Sequence, residues 1–131
     1  MRVFVHLALY NGQFLWYNYP INSEKGNVMT NYLIYQLPFE HKNKRDMSFF
    51  DAKQIEEISD EYELVAQVTA RSLDECFRIG NFVCEEDQTL IKVVGKMHSL
   101  SVGDIVVDLN ANKEYVCASF GWEEIEMKEC V

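Results

Sequence analysis

Residues 2–10 alternate and are rich in β-branched and aromatic side chains, and Asn11-Gly12 follows them directly. That dipeptide suits the positive φ angles of a two-residue hairpin turn, so residues 13–19 are predicted to return as an aromatic strand that Pro20 ends. Alternation sets Phe14 and Trp16 on one face of that strand and Tyr17 and Tyr19 on the other. A third strand is expected over residues 28–37, where Met29, Tyr32, Leu33, Ile34 and Tyr35 mix β-formers with alternation. Pro38 breaks the pattern, and residues 40–46 read as a charged surface loop.

The period then changes. Phe50, Ala52, Ile55 and Ile58 are spaced for one buried face of a helix over residues 49–62, with Ser48 as its expected N-cap and Glu56, Glu57, Asp60 and Glu61 turned outward. Residues 63–69 form the next strand. Ser72-Leu73-Asp74-Glu75 reads as a capping box opening a second helix, whose inner side holds Leu73, Cys76, Phe77 and Gly80. Asn81 is expected to stop that helix in the left-handed conformation. Residues 90–94 are a short strand, residues 105–109 and 114–118 a hairpin across Asn110 and Asn112, Phe120-Gly121-Trp122 a tight bend, and residues 123–127 a last strand. The pattern predicts an α+β fold, a mainly antiparallel sheet of about six to eight strands with two helices packed on one face. Residues 1–131 form a single domain, with the hairpin and third strand in 1–48 and the two helices and C-terminal strands in 49–131.

Such an arrangement covers only one face of the aromatic hairpin. Trp16, Tyr17 and Tyr19 are therefore candidates for a contact surface, toward a partner or a second copy of the chain.

Composition leaves this picture standing and restricts the chemistry. Hydrophobic residues make up 48% and charged residues 25% of the chain, an ordinary globular balance that argues against extended disorder. No run approaches the roughly 18 apolar residues of a membrane span, and none of the first residues reads as a signal peptide, so a cytoplasmic protein is expected. Cys76, Cys84, Cys117 and Cys130 lack zinc or disulfide spacing and are expected as free thiols.

Charge is unevenly placed. Residues 1–48 hold five basic and three acidic side chains and the remainder seven and 18, for a net charge of −9. The field of such a surface repels phosphates and favours a basic protein partner, which disfavours direct nucleic-acid binding; the basic loop from His41 to Arg45 is the stretch of opposite character.

Neither a phosphate loop nor a dinucleotide fingerprint is present, and the acidic runs Glu85-Glu86-Asp87 and Glu123-Glu124 lack the alternation and glycine of a calcium loop. No cofactor and no metal site are expected. His98 with Ser99 or Ser101 and Asp104 has the residue types of a nucleophile, base and orienting acid, but neighbours this close in sequence rarely converge as a triad. Ser101 and Asp104 more readily bond their own turn. No catalytic residue is assigned.

Three segments carry a resemblance: Ser72-Leu73-Asp74-Glu75-Cys76-Phe77 with Asn81, then Ser99-Leu100-Ser101-Val102-Gly103-Asp104, then Tyr115-Val116 with Phe120-Gly121-Trp122. Over residues 64–125 the chain resembles small uncharacterised proteins of bacteriophages and mobile elements, the YodL-like group, with Trp122 in place of the usual phenylalanine. The resemblance implies a shared scaffold and a phage or plasmid origin, hence a bacterial host cytoplasm, and no activity. Ser99, Ser101 and Asp104 then read as a structural latch.

Two functional expectations follow. The first is a non-enzymatic accessory protein that binds and modulates a host protein, such as a defence or nucleic-acid-handling complex, through its acidic surface, with self-association as a further partner class. The second is a small ligand-binding module or enzyme acting on a nucleotide or nucleic-acid component, with Asn81, Ser101 and Asp104 lining a pocket between helices and sheet.

Overall fold

The computed structural model describes residues 29–82 and 85–128, of which 85–87 as backbone only, and the backbone of two short strands before them. Those two are β1 (Leu9–Tyr10) and β2 (Gln13–Phe14), paired antiparallel with Tyr10 opposite Gln13 and Leu9 opposite Phe14; the expected turn residues Asn11 and Gly12 lie outside the described residues. Trp16, Tyr17 and Tyr19 lie outside the described residues.

Six further strands form one sheet: β3 (Thr30–Gln36), β4 (Glu63–Ala70), β5 (Ile91–Val93), β6 (Ile105–Asp108), β7 (Lys113–Cys117) and β8 (Trp122–Ile125). Their order is β5-β4-β3-β6-β7-β8 and every neighbouring pair is antiparallel, as an α+β fold with an antiparallel sheet requires. β3 is central and all but its first residue are buried. β4 carries a bulge: Ile34 faces Ala66 and Tyr35 faces Leu64, so Val65 is the extra residue, and its carbonyl accepts from Val94 N and Gly95 N beside β5.

The helices are α1 (Ala52–Glu57) and α2 (Leu73–Gly80), and they occupy opposite faces of the sheet. On one face Leu33, Tyr35, Ile105 and Val107 pack with Ile55 of α1, Met47 and Tyr62. On the other Tyr32, Ile34, Val68 and Val106 pack with Cys76 and Ile79 of α2 and with Leu100. This corrects the expectation of two helices on one face. Tyr32 and Ile34 are as buried as Leu33 and Tyr35, so leaving either face bare would expose a full apolar layer. An unbroken apolar run in β3 is the signature of a strand covered twice.

α1 is also shorter than its periodicity predicts. Asp51, not Ser48, is its N-cap: the Asp51 carboxylate accepts from Gln54 N at 2.8 Å and the Gln54 amide accepts from Asp51 N at 2.9 Å. 3-10 turns, Lys44–Phe49 and Ser59–Glu61, occupy the flanks. α2 starts where expected, with Ser72 Oγ accepting from Glu75 N at 3.1 Å. Glu75 reaches back one residue further than a capping box, to Arg71 N and to the Arg71 guanidinium, and this pairing draws the Glu75 carboxyl below its ordinary range. At the other end Asn81 keeps φ −97° and its amide caps Phe77 O, while Phe82 takes the left-handed angle, φ 57°.

α1 lies against the edge strand β8. Glu126 N donates to Glu56 Oε2 and Lys128 N donates to Ser59 Oγ, both at 2.7 Å, so acceptors on and just after α1 hold the segment that follows β8.

Candidate functional site

The segment from His98 to Asp104 is held by a buried polar cluster at the end of β3. Gln36, 1% exposed, closes that strand, and its side-chain amide behaves as one more strand residue: Nε2 donates to His98 O at 2.9 Å and Oε1 accepts from His98 N at 3.1 Å. The second Nε2 proton goes to Asp104 Oδ2 at 3.0 Å. The same oxygen accepts from Ser101 N at 2.8 Å, while Ser101 Oγ stands at 3.5 Å. Carboxylate and amide, not serine hydroxyls, therefore form the latch.

Asp104 is 2% exposed, and Lys44 Nζ lies 3.8 Å from its Oδ1. Burial pushes the Asp104 carboxyl up, against the Lys44 charge, the Ser101 N–H and the Gln36 amide, which favour the anion. Burial moves the Lys44 ammonium down. Asp104 also raises its neighbours: the Tyr62 phenol is driven up by burial and then by this carboxylate, and the Cys117 thiol to about 11 by the same two causes. Tyr62 Oη donates to Gly103 O, Gly103 N to Cys117 O at 2.8 Å and Cys117 N to Asp104 O at 2.9 Å, tying the turn to α1's side of the sheet and to β7.

His98 and this carboxylate meet the same Lys44 ammonium without bonding each other directly. The His98 Nδ1 lies 2.8 Å from Ser99 O, which can only accept, so Nδ1 donates and Nε2 accepts from Lys44 Nζ at 2.6 Å. Phe39 stacks obliquely on the imidazole, ring centroids 4.7 Å apart. No hydrogen bond among the described residues joins His98 to Asp104 or to a serine hydroxyl. The arrangement lacks the base-to-nucleophile link of covalent catalysis.

Of the residues proposed from sequence, Ser101 and Asp104 are brought together and Asn81 is not joined to them. Leu100 N donates to Gly80 O, so the end of α2 abuts this segment, but the Asn81 amide turns back on its own helix. Gln36, Lys44 and Tyr62 were not singled out by the sequence, although a glutamine closing an apolar strand and a lysine in the basic loop are the signals that could have found the first two. That loop is drawn inward: Lys44 meets Asp104 and His98, and His41 Nε2 lies 2.8 Å from Glu61 Oε1.

Two other features are assembled by packing. A groove of about 370 Å³ lies beside the latch, lined by Phe50, Ala52, Ile55, Val102, Cys117 and Glu123 among others, and by none of Asn81, Ser101 and Asp104. The contact of α1 with the end of β8 joins two acidic runs distant in sequence, setting Glu56 beside a strand that carries exposed Glu123 and Glu124 and is followed by exposed Glu126. Lys113 meets Glu124 at 3.6 Å.

Among the described residues no group of His, Cys, Asp or Glu is placed to hold a metal ion, and no helix is long and apolar enough to cross a membrane. Cys76 and Cys117 are buried free thiols. In comparisons with known proteins no family model, curated protein or solved structure matches the chain.

The raised carboxyl makes a pH prediction. A folded-state value above the ordinary 3.8 means that folding favours neutral Asp104; the associated stability is full below pH 3.8 and is lost as pH rises through the folded value. Asp104→Asn does not titrate. The stability advantage of the wild type over this variant is expected to shrink as pH rises from 3.8, read by urea denaturation of both proteins from pH 3 to pH 8. An advantage that widens instead would mean that Lys44 and the amide donors outweigh burial.

Proposed function

We propose that this chain is a non-enzymatic accessory protein of a bacteriophage or mobile element, which binds a basic surface of a host protein. The observation that carries the reading is the acidic seam where α1 meets the edge strand β8: Glu56 reaches the end of that strand, exposed Glu123 and Glu124 leave it on its α1 and α2 faces, and exposed Glu126 follows it, with Lys113 paired to Glu124. Net charge of −9 adds a long-range field of the same sign. The polar groups that could carry chemistry, Gln36 and Asp104, are spent internally on the latch. The phage origin rests on the segment resemblance over residues 64–125, and the host target would be a defence or nucleic-acid-handling complex whose basic groove accepts carboxylates in place of phosphates.

The test is affinity capture from a bacterial lysate at low and moderate salt, using the wild type and a Glu123→Lys, Glu124→Lys, Glu126→Lys variant. Retention of basic proteins that charge reversal abolishes is the expected result. Equal recovery by the two proteins, or background recovery at both salts, would discard the reading.

A further inference from the structure

The groove beside the latch has a composition that specifies an occupant. Its walls are Phe50, Ala52 and Ile55 from one side and Val116 and Cys117 from the other, and its one charged lining group is Glu123, exposed and without an ion pair to any described residue. One large aromatic of its lining, Phe120, stands in water, 98% exposed. About 370 Å³ falls at the small end of ligand pockets, room for an apolar side chain or two. Ser48, Ser119 and Glu123 line the groove beside these apolar walls, so the lining is mixed, with one carboxylate to meet a cation. Glu123 shares the α1 face of β8 with Ile125, and Glu56 of α1 reaches the end of the same strand, so carboxylates stand on the side of the sheet where the groove lies.

We propose that this groove docks a peptide segment of a protein partner, with an aromatic or leucine anchor between α1 and β7 and an adjacent lysine or arginine on Glu123. The proposal rests on the interaction reading above and names the recognition element. A second copy of the chain is the poorer occupant, since it would bring a net charge of −9 and the same carboxylates to the seam. Burial of the anchor supplies affinity, and the cation fixes direction and discriminates against acidic segments.

The experiment selects displayed random dodecapeptides on immobilised wild-type protein and reads the enriched sequences. Expected is a consensus with an aromatic or leucine within a few residues of Lys or Arg. A labelled consensus peptide should bind Ser119→Arg, which adds bulk and a cation at an exposed lining position, at least about ten-fold more weakly. It should bind Glu123→Gln about two- to five-fold more weakly, an effect that fades with salt. Circular dichroism and light scattering establish that both variants fold and that the wild type is monomeric. No consensus, an acidic or uncharged consensus, equal binding by Ser119→Arg, or a dimer that masks the groove would each overturn the proposal. Lysate capture separates the two readings. A basic partner held equally by wild type and Ser119→Arg leaves the interaction and removes the groove, whereas a groove-dependent peptide with no lysate partner does the reverse.

Discussion

Asp104→Ala is expected to destabilise the fold by about 3–4 kcal/mol, among the largest effects of any polar substitution in the chain. Two donors lose their acceptor: Gln36 Nε2, on a side chain 1% exposed, and Ser101 N, each within 3.0 Å of Oδ2. A buried donor left unsatisfied costs about 1–3 kcal/mol. Lys44 adds less, because its 3.8 Å separation from Oδ1 and 15% side-chain exposure let water and His98 take over part of its solvation. With an m-value of about 1.5 kcal/mol/M, the urea midpoint should fall by roughly 2 M. Gln36→Ala should overlap with it, since both remove the same bond. The double variant is expected to be less destabilised than the sum by more than about 1 kcal/mol. Additive losses, or a single loss under about 1 kcal/mol, would show that Asp104 and Gln36 do not act as one latch.

That latch also shows what the sequence could and could not disclose. Strands were legible wherever local signals suffice: residues 63–69 from the run Leu64-Val65-Ala66-Gln67-Val68, within the observed Glu63–Ala70, and the last hairpin from asparagines in its turn. The Ser72 cap was legible because its partner, Glu75, lies three residues away. Ser101 and Asp104 were recognised as a turn for the same reason. Their partner Gln36 is 68 residues from Asp104, and nothing local marks which polar residue of a buried strand will meet which carboxylate. The α1 boundary failed through competition between equivalent signals, Ser48 and Asp51 both being good caps; the residue with Gln54 three positions on prevailed. Helix placement failed because amphipathicity says that a helix has an inner face without saying which side of the sheet receives it. The acidic seam was invisible as a unit, since Glu56 and Glu126 are 70 residues apart.

Gly103→Ala should destabilise by about 3 kcal/mol, whereas Gly121→Ala should cost only about 1 kcal/mol. Both glycines have positive φ, 95° at Gly103 and 80° at Gly121, so both substitutions force a side-chain-bearing residue into a disfavoured backbone region. Their surroundings differ. A Cβ at Gly103 would sit 2.9 Å from Met47 Cβ and 3.3 Å from Met47 O, against the 3-10 turn that leads to α1, while one at Gly121 would meet nothing within 4 Å. Met47 is 4% exposed and packed in the α1-side core, so its Cβ cannot yield without moving its backbone. Any such shift pulls on the Gly103 N to Cys117 O bond and on the Tyr62 hydroxyl that holds Gly103 O, both of which position Asp104. The pair of variants thereby separates conformational strain from contact. Thermal melts should place Gly103→Ala about 8–15 °C below the wild type and Gly121→Ala within about 5 °C of it. Equal losses would reduce the Gly103 requirement to backbone conformation alone and release the Met47 turn from its part in holding the latch.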